Sequence, residues 1–127
     1  MTTITEDYVS FETAKLLKKK GFMDGAITKF FASGYDSKGN ILSIRDTELK
    51  DYPRPTLQMA CKWLREVHNK NIILDMLPED NDCYVLWTFN VLSNNNYKIM
   101  WGTKQPKYNT YEGACEAAIK YCLENLI

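Results

Sequence analysis

Apolar residues recur at helical spacing in three stretches of the chain, and each stretch opens on the same local signal. In the first, Phe11, Ala14, Leu16 and Leu17 form a stripe behind Ser10. A serine there accepts the free amides of the first turn, and Glu12 suits the positive end of the helix dipole. Lys18, Lys19 and Lys20 crowd the last turn and Gly21 is placed as a left-handed stop. In the second, Leu57, Ala60, Leu64 and Val67, widened by Met59 and Trp63, follow Thr56 and end near Asn69. In the third, Cys115, Ala118, Ile119, Cys122 and Leu126 share one face behind Thr110. Asn109 with Glu112 offers an alternative capping box there.

Between the helices the period changes to that of strands. Residues 28–35 and 41–44 flank Asp36-Ser37-Lys38-Gly39-Asn40, a turn with Asp to start it and Gly to take a positive φ, which predicts a hairpin. Residues 45–54 are polar, hold Pro53, and read as a connecting loop. Residues 70–77, 84–93 and 97–102 predict three more strands. Among them Val85, Trp87, Phe89 and Val91 form one apolar face, with Thr88 and Asn90 on the other. The expected architecture is a single α+β domain over 1–127 in the order α-β-β-α-β-β-β-α. Short turns imply an antiparallel sheet, with the three helices packed mainly on one face.

Ser10-Phe11-Glu12-Thr13-Ala14, Thr56-Leu57-Gln58-Met59-Ala60 and Thr110-Tyr111-Glu112-Gly113-Ala114 look like copies of a repeat. The strand patterns between them differ in number and length, whereas repeat arrays keep a fixed period. Convergence on good helix-start chemistry explains the likeness more simply.

Charge narrows the function. Sixteen Lys and Arg balance sixteen Asp and Glu, which argues against a protein whose main task is gripping phosphate backbones. The N-terminus lacks a basic start followed by an apolar core, and no apolar run approaches the ~18 residues of a membrane span. A cytoplasmic protein is therefore expected, with Cys61, Cys83, Cys115 and Cys122 reduced.

Each candidate site has a plainer explanation. His68 is the only histidine, but no nucleophile motif accompanies it, and the C-terminal end of a helix favours its charged form. Cys115 and Cys122 lie two turns apart on one helix, ~10 Å, too far to share a zinc. Glu79, Asp80 and Asp82 lack the alternating spacing and central glycine of a calcium loop. Gly102 is isolated, so no phosphate loop is present. The cluster Lys15, Lys18, Lys19 and Lys20 reads as a solvated helix end. No catalytic, cofactor-binding or metal-binding residue is assigned, and no cofactor is expected.

Two resemblances add to this. Residues 56–126 run α-β-β-β-α, the order of a double-stranded-RNA-binding domain. That family grips the RNA backbone with a Lys-Lys-x-Ala-Lys pattern opening its last helix. Here Tyr111-Glu112-Gly113-Ala114-Cys115-Glu116 stands in its place, with two acids where phosphates would sit. Separately, Tyr8-Val9-Ser10-Phe11-Glu12-Thr13-Ala14-Lys15-Leu16-Leu17, the stretch 55–69 with its Trp63-Leu64-Arg65-Glu66-Val67-His68 run, and 111–127 resemble a family of short uncharacterised proteins. Gut anaerobes of the Bacteroides group, their phages and their mobile elements encode that family. The resemblance covers about a third of the chain and departs most over 30–51. It implies no known activity and carries no functional residue across.

The sequence therefore points first to a non-enzymatic module that binds another protein in a phage- or element-borne system, through an aromatic surface on the strands rich in Tyr and Trp. A weak nucleic-acid binder using the lysine cluster is the alternative. A small enzyme with a pocket near His68 or Trp101 comes third.

Overall fold

The computed structural model describes residues 5–22, 33–78, 85–93 and 107–127. Along them run α1 (Phe11–Lys19), β1 (Ser33–Tyr35), β2 (Ile41–Ser43), β3 (Tyr52–Pro53), α2 (Leu57–His68), β4 (Lys70–Pro78), β5 (Val85–Ser93) and α3 (Tyr111–Tyr121). A π-helical turn, Cys122–Leu126, extends α3. The α+β class and the antiparallel pairing are as the pattern predicts. The strands divide between two sheets where one was expected: a three-stranded sheet in the order β2-β1-β3, and the pair β4-β5. The short turn pairs β1 with β2, β3 returns along the other edge of β1, and α2 lies between the two groups of strands in the chain order. The expected strand over 97–102, the acidic turn at Glu79, Asp80 and Asp82, and the start of the first expected strand lie outside the described residues. Contacts gather in two units, Met1–Trp63 and Leu64–Ile127.

All three Ser/Thr caps form. The Thr13 amide donates to Ser10 Oγ at 3.3 Å, Met59 to Thr56 Oγ1 at 3.1 Å, and Gly113 to Thr110 Oγ1 at 2.9 Å. Thr110, rather than an Asn109–Glu112 box, is thus the cap of α3. α1 ends as its sequence dictates. Gly21 takes φ 94°, its amide donates to the Lys18 carbonyl, and the Phe22 amide donates to the Leu17 carbonyl. α2 ends with Asn69 at φ 58°, a left-handed position that asparagine tolerates. Leu57, Ala60, Trp63 and Leu64 of α2 are buried as expected, but Val67 is 55% exposed. Val67 lies in the last turn of α2, two residues before the left-handed Asn69.

In the first unit α1 packs beside β3. The N-terminal segment lies antiparallel to the start of α2: the Val9 amide donates to the Pro55 carbonyl and the Leu57 amide to the Asp7 carbonyl. Gly34, in the central strand, pairs with Leu42 on one side and Pro53 on the other. The Asp36 carboxylate accepts from the Asn40 amide and side chain and from the Lys38 amide. The Asn40 amide foremost holds its pKa below the ordinary carboxylate range, against an opposing desolvation. The segment expected to be a plain loop is more ordered than its polarity suggests. Buried Thr47 donates to the Ser43 carbonyl at 2.7 Å, buried Asp51 accepts from the Glu48 amide at 2.8 Å, and Tyr52–Pro53 forms an edge strand, where proline is tolerated.

In the second unit β4 and β5 pair from Lys70↔Ser93 to Pro78↔Val85 without a bulge. α3 packs on this pair. Phe89 and Val91 are buried, Trp87 meets Tyr111 edge-on at 5.3 Å, and Phe89 meets Tyr121 at 5.9 Å. The expected apolar face of β5 is therefore the one that α3 covers. Ala114, Cys115, Ala118 and Ile119 of α3, with Cys122 and Leu123 beyond it, are fully buried. Small residues at 114, 115 and 118 let this helix lie close.

Candidate functional site

The first unit carries a connected cluster of aromatic rings and cations. Ser10 starts α1 so that Phe11 stands at the helix's first position, over the hairpin. Its ring lies 5.6 Å from Tyr35 and 5.4 Å from Tyr52, edge-on to the latter. The hairpin turn closes against the same ring: Gly39 has φ 86°, and a Cβ there would stand 3.0 Å from Phe11 Cδ2. The Tyr35 hydroxyl donates to the Val9 carbonyl, tying β1 to the segment that leads into α1.

Three cations rest on these rings. Lys15 Nζ lies 4.8 Å from the Phe11 centroid. Lys18 Nζ lies 4.9 Å from the Tyr52 centroid and donates to the Leu49 carbonyl at 2.9 Å. The Arg54 guanidinium lies 4.0 Å from the Tyr8 centroid and 5.7 Å from that of Tyr35. Pro53 and Pro55 fix the backbone around Arg54, and its amide donates to the Ser33 carbonyl. Its Nη1 donates to Ser33 Oγ at 3.1 Å, while its buried Nε has no hydrogen-bond partner. Among the described residues no carboxylate pairs with Lys15, Lys18 or Arg54; the ion pair seen in this unit is Lys50–Glu48. The result is a run of contacts from Lys18 through Tyr52, Phe11 and Tyr35 to Arg54 and Tyr8. Its charge is positive and its apolar surface partly open, with Tyr8 36% exposed.

The lysine cluster expected to be a solvated helix end thus divides. Lys18 is held by a ring and a carbonyl, Lys15 lies on the ring beneath it, Lys19 is exposed and Lys20 is half-buried. Sequence spacing alone does not single out Arg54. Its available signal was the Pro53-Arg54-Pro55 bracket, which spends two rigid residues on fixing one long side chain. Among the described strand aromatics expected to present the binding surface, Trp87 and Phe89 turn toward α3. Trp87 is half-buried and meets Tyr111, Phe89 is in the core, and Trp101 lies outside the described residues.

His68 is half-buried at the last position of α2. Cys61 is half-buried, and Cys115 and Cys122 are fully buried and in no disulfide; Cys83 lies outside the described residues. Burial pushes the Cys122 thiol up to about 12, against a smaller opposing pull from Lys70. Among the described residues no three His, Cys, Asp or Glu side chains gather as a metal group, and no helix is long and apolar enough to cross a membrane. Glu112 is exposed and Glu116 half-buried on α3, where an RNA-binding domain would carry lysines. No family model, curated protein or solved structure matches the chain.

Proposed function

We propose that this protein is a non-enzymatic interaction module that binds another protein through the cation–aromatic cluster of its first unit, and that it acts in the cytoplasm within a phage- or element-borne system. The observation that carries this is the set of three cations, Lys15, Lys18 and Arg54, resting on rings with no carboxylate pairing them among the described residues. A ring lowers the cost of holding a cation but leaves its charge uncancelled. Such a surface fits a segment carrying Asp or Glu beside an apolar residue: the acids meet Arg54 and Lys15, and the apolar residue meets Tyr8.

Nucleic acid is the alternative, because the same cations attract phosphate. Protein is favoured by the state of the rings. Arg54 lies over Tyr8, and Phe11 is hemmed in by Tyr35, Tyr52, Gly39 and Lys15, so neither offers bases an open stacking platform.

The test is affinity capture from host and phage-infected lysates with the natural chain and with Arg54→Ala and Lys15→Glu variants. The proposal expects one protein recovered by the natural chain and lost with both variants. Recovery of no specific protein, or of one indifferent to both substitutions, sinks it. Mobility shifts on single- and double-stranded RNA and DNA at low salt that vanish in the same variants would favour the alternative.

A further inference from the structure

The second unit holds a different surface, and it does not depend on the cluster just described. β5 has its outer side occupied: the Trp87 amide donates to the Tyr108 carbonyl at 2.8 Å, and the Tyr108 amide returns the bond at 2.7 Å. The Trp87 backbone groups therefore point away from β4, which makes Trp87↔Met76 a non-hydrogen-bonded pair. Alternation then fixes every residue of β4. Asn71, Ile73 and Asp75 direct their amides and carbonyls at β5, whereas Lys70, Ile72, Leu74 and Met76 direct theirs outward. No hydrogen bond reaches that outward row from the described residues. Ile73 is 40% and Met76 58% exposed along the same strand. A long apolar edge with an unpaired backbone is a template for another strand.

The sequence of the edge says which strand. Asn71-Ile72-Ile73-Leu74-Asp75 reads polar, apolar, apolar, apolar, polar in both directions about Ile73. We infer that β4 pairs antiparallel with β4 of a second copy of this chain across a two-fold axis at Ile73, forming a homodimer with a continuous β5-β4-β4-β5 sheet. In that register Ile73 faces its own counterpart, Ile72 faces Leu74, Asn71 faces Asp75, and Met76 lies on the aliphatic stem of Lys70. Ile72 and Leu74 both direct backbone groups outward, so each such pair exchanges two hydrogen bonds. Shifting the axis to Leu74 sets Ile73 against Asp75 twice, and shifting it to Ile72 sets Ile73 against Asn71 twice. Both shifts oppose apolar to polar side chains, so the Ile73 axis is the matched one. Pairing also joins a two-stranded sheet, marginal alone, into a four-stranded one.

Sedimentation of the full chain tests this. The natural protein is expected at twice the monomer mass of 14.8 kDa. Ile73→Lys and Ile73→Glu place like charges at the axis, and each variant alone is expected to fall to half the natural mass with an unchanged circular dichroism spectrum. Mixing the two restores the dimer, because Lys then faces Glu. Ile73→Cys cross-links to itself under mild oxidant, whereas Asp75→Cys, which faces Asn71, does not. A natural chain that sediments as a monomer overturns the inference. So does a dimer that survives Ile73→Lys, or a mixture of folded Lys and Glu variants that stays monomeric. Arg54→Ala leaves the dimer mass unchanged, so the dimer and the protein-binding function can fail separately.

Discussion

The guanidinium of Arg54 lies 4.0 Å over the centre of the Tyr8 ring. The contact joins two distant stretches that are already adjacent through backbone bonds, since Tyr8 bridges Thr56 and the Val9 amide donates to the Pro55 carbonyl. Arg54 also donates to Ser33 Oγ, so one side chain ties β1, the end of β3 and the N-terminal segment together. Replacing it with alanine removes a part-buried cation–π contact and a hydrogen bond, for an expected loss of about 1–3 kcal/mol in urea unfolding. Lysine is expected to recover little, because it lacks the planar fork that stacks on Tyr8 while reaching Ser33. A double-mutant cycle with Tyr8→Ala should return a coupling of about 0.5–1 kcal/mol, and a coupling of zero would show the stacking to be incidental.

The three caps make comparable predictions. Ser10→Ala, Thr56→Ala and Thr110→Ala each leave one first-turn amide without its side-chain acceptor, at an expected cost of about 0.5–2 kcal/mol. Gly113 adds a twist at the third. Alanine inside a helix ordinarily gains about 1 kcal/mol over glycine, but a Cβ at Gly113 would stand 2.9 Å from Thr110 Oγ1. Gly113→Ala should therefore gain less than that in the natural chain, and more in a Thr110→Ala background. Equal effects in the two backgrounds, measured by thermal unfolding, would remove the link between cap and glycine.

Those caps also mark what was legible in the sequence. Helix starts, the Gly21 stop, the Gly39 turn and the β5 apolar face are decided by residues within a few positions of one another, so a linear pattern shows them. The division into two sheets, the strand at Tyr52–Pro53 and the exposure of Val67 depend on which segments meet after folding. Periodicity assigns Val67 to the core because it continues the stripe of Leu57, Ala60 and Leu64, yet in the last turn of α2 its side chain is 55% exposed. The candidate site was half visible. The lysines of α1 stood out as a cluster, but their contacts with Phe11 and Tyr52, and Arg54's with Tyr8, join residues that sequence spacing cannot relate.

Gly34 illustrates the same dependence in a form that can be measured. It sits in β1 between Leu42 and Pro53, and buried Thr47 lies across it. A Cβ at Gly34 would meet Thr47 Cγ2 and Oγ1 at 2.7 Å and the Tyr52 carbonyl oxygen at 3.0 Å. Thr47 cannot swing away freely, because its hydroxyl donates to the Ser43 carbonyl. Gly34→Ala is expected to destabilise by about 1–3 kcal/mol, despite the general preference of strands for alanine over glycine. Combining it with Thr47→Ser, which removes Cγ2, should recover part of the loss. A neutral Gly34→Ala in urea unfolding would mean that the segment after β2 gives way more easily than its hydrogen bonds imply.

Cys122 supplies a pH dependence whose sign follows from its burial. Desolvation raises its pKa from 9.0 to about 12, against a weaker opposing pull from Lys70. The folded chain therefore holds the thiol proton more tightly than the unfolded one. Below pH 9 both states are protonated and the stabilising contribution is complete. As pH rises from 9 toward 12, the unfolded state ionises first and stability declines. Burial also raises the pKa of Tyr108, which adds a decline of the same sign. Melting temperature should accordingly fall on the alkaline side, with a shallower fall in Cys122→Ala, whose overall stability is lower. The same shift governs reactivity, since the thiolate is the nucleophile. The raised pKa leaves far less thiolate at mildly alkaline pH than an ordinary thiol would have. Alkylation of the native chain, mapped by mass spectrometry, should spare Cys122 until the protein is unfolded in urea. Modification of Cys122 at equal rates in the native and urea-unfolded chains would show that the end of α3 opens far more readily than its packing requires.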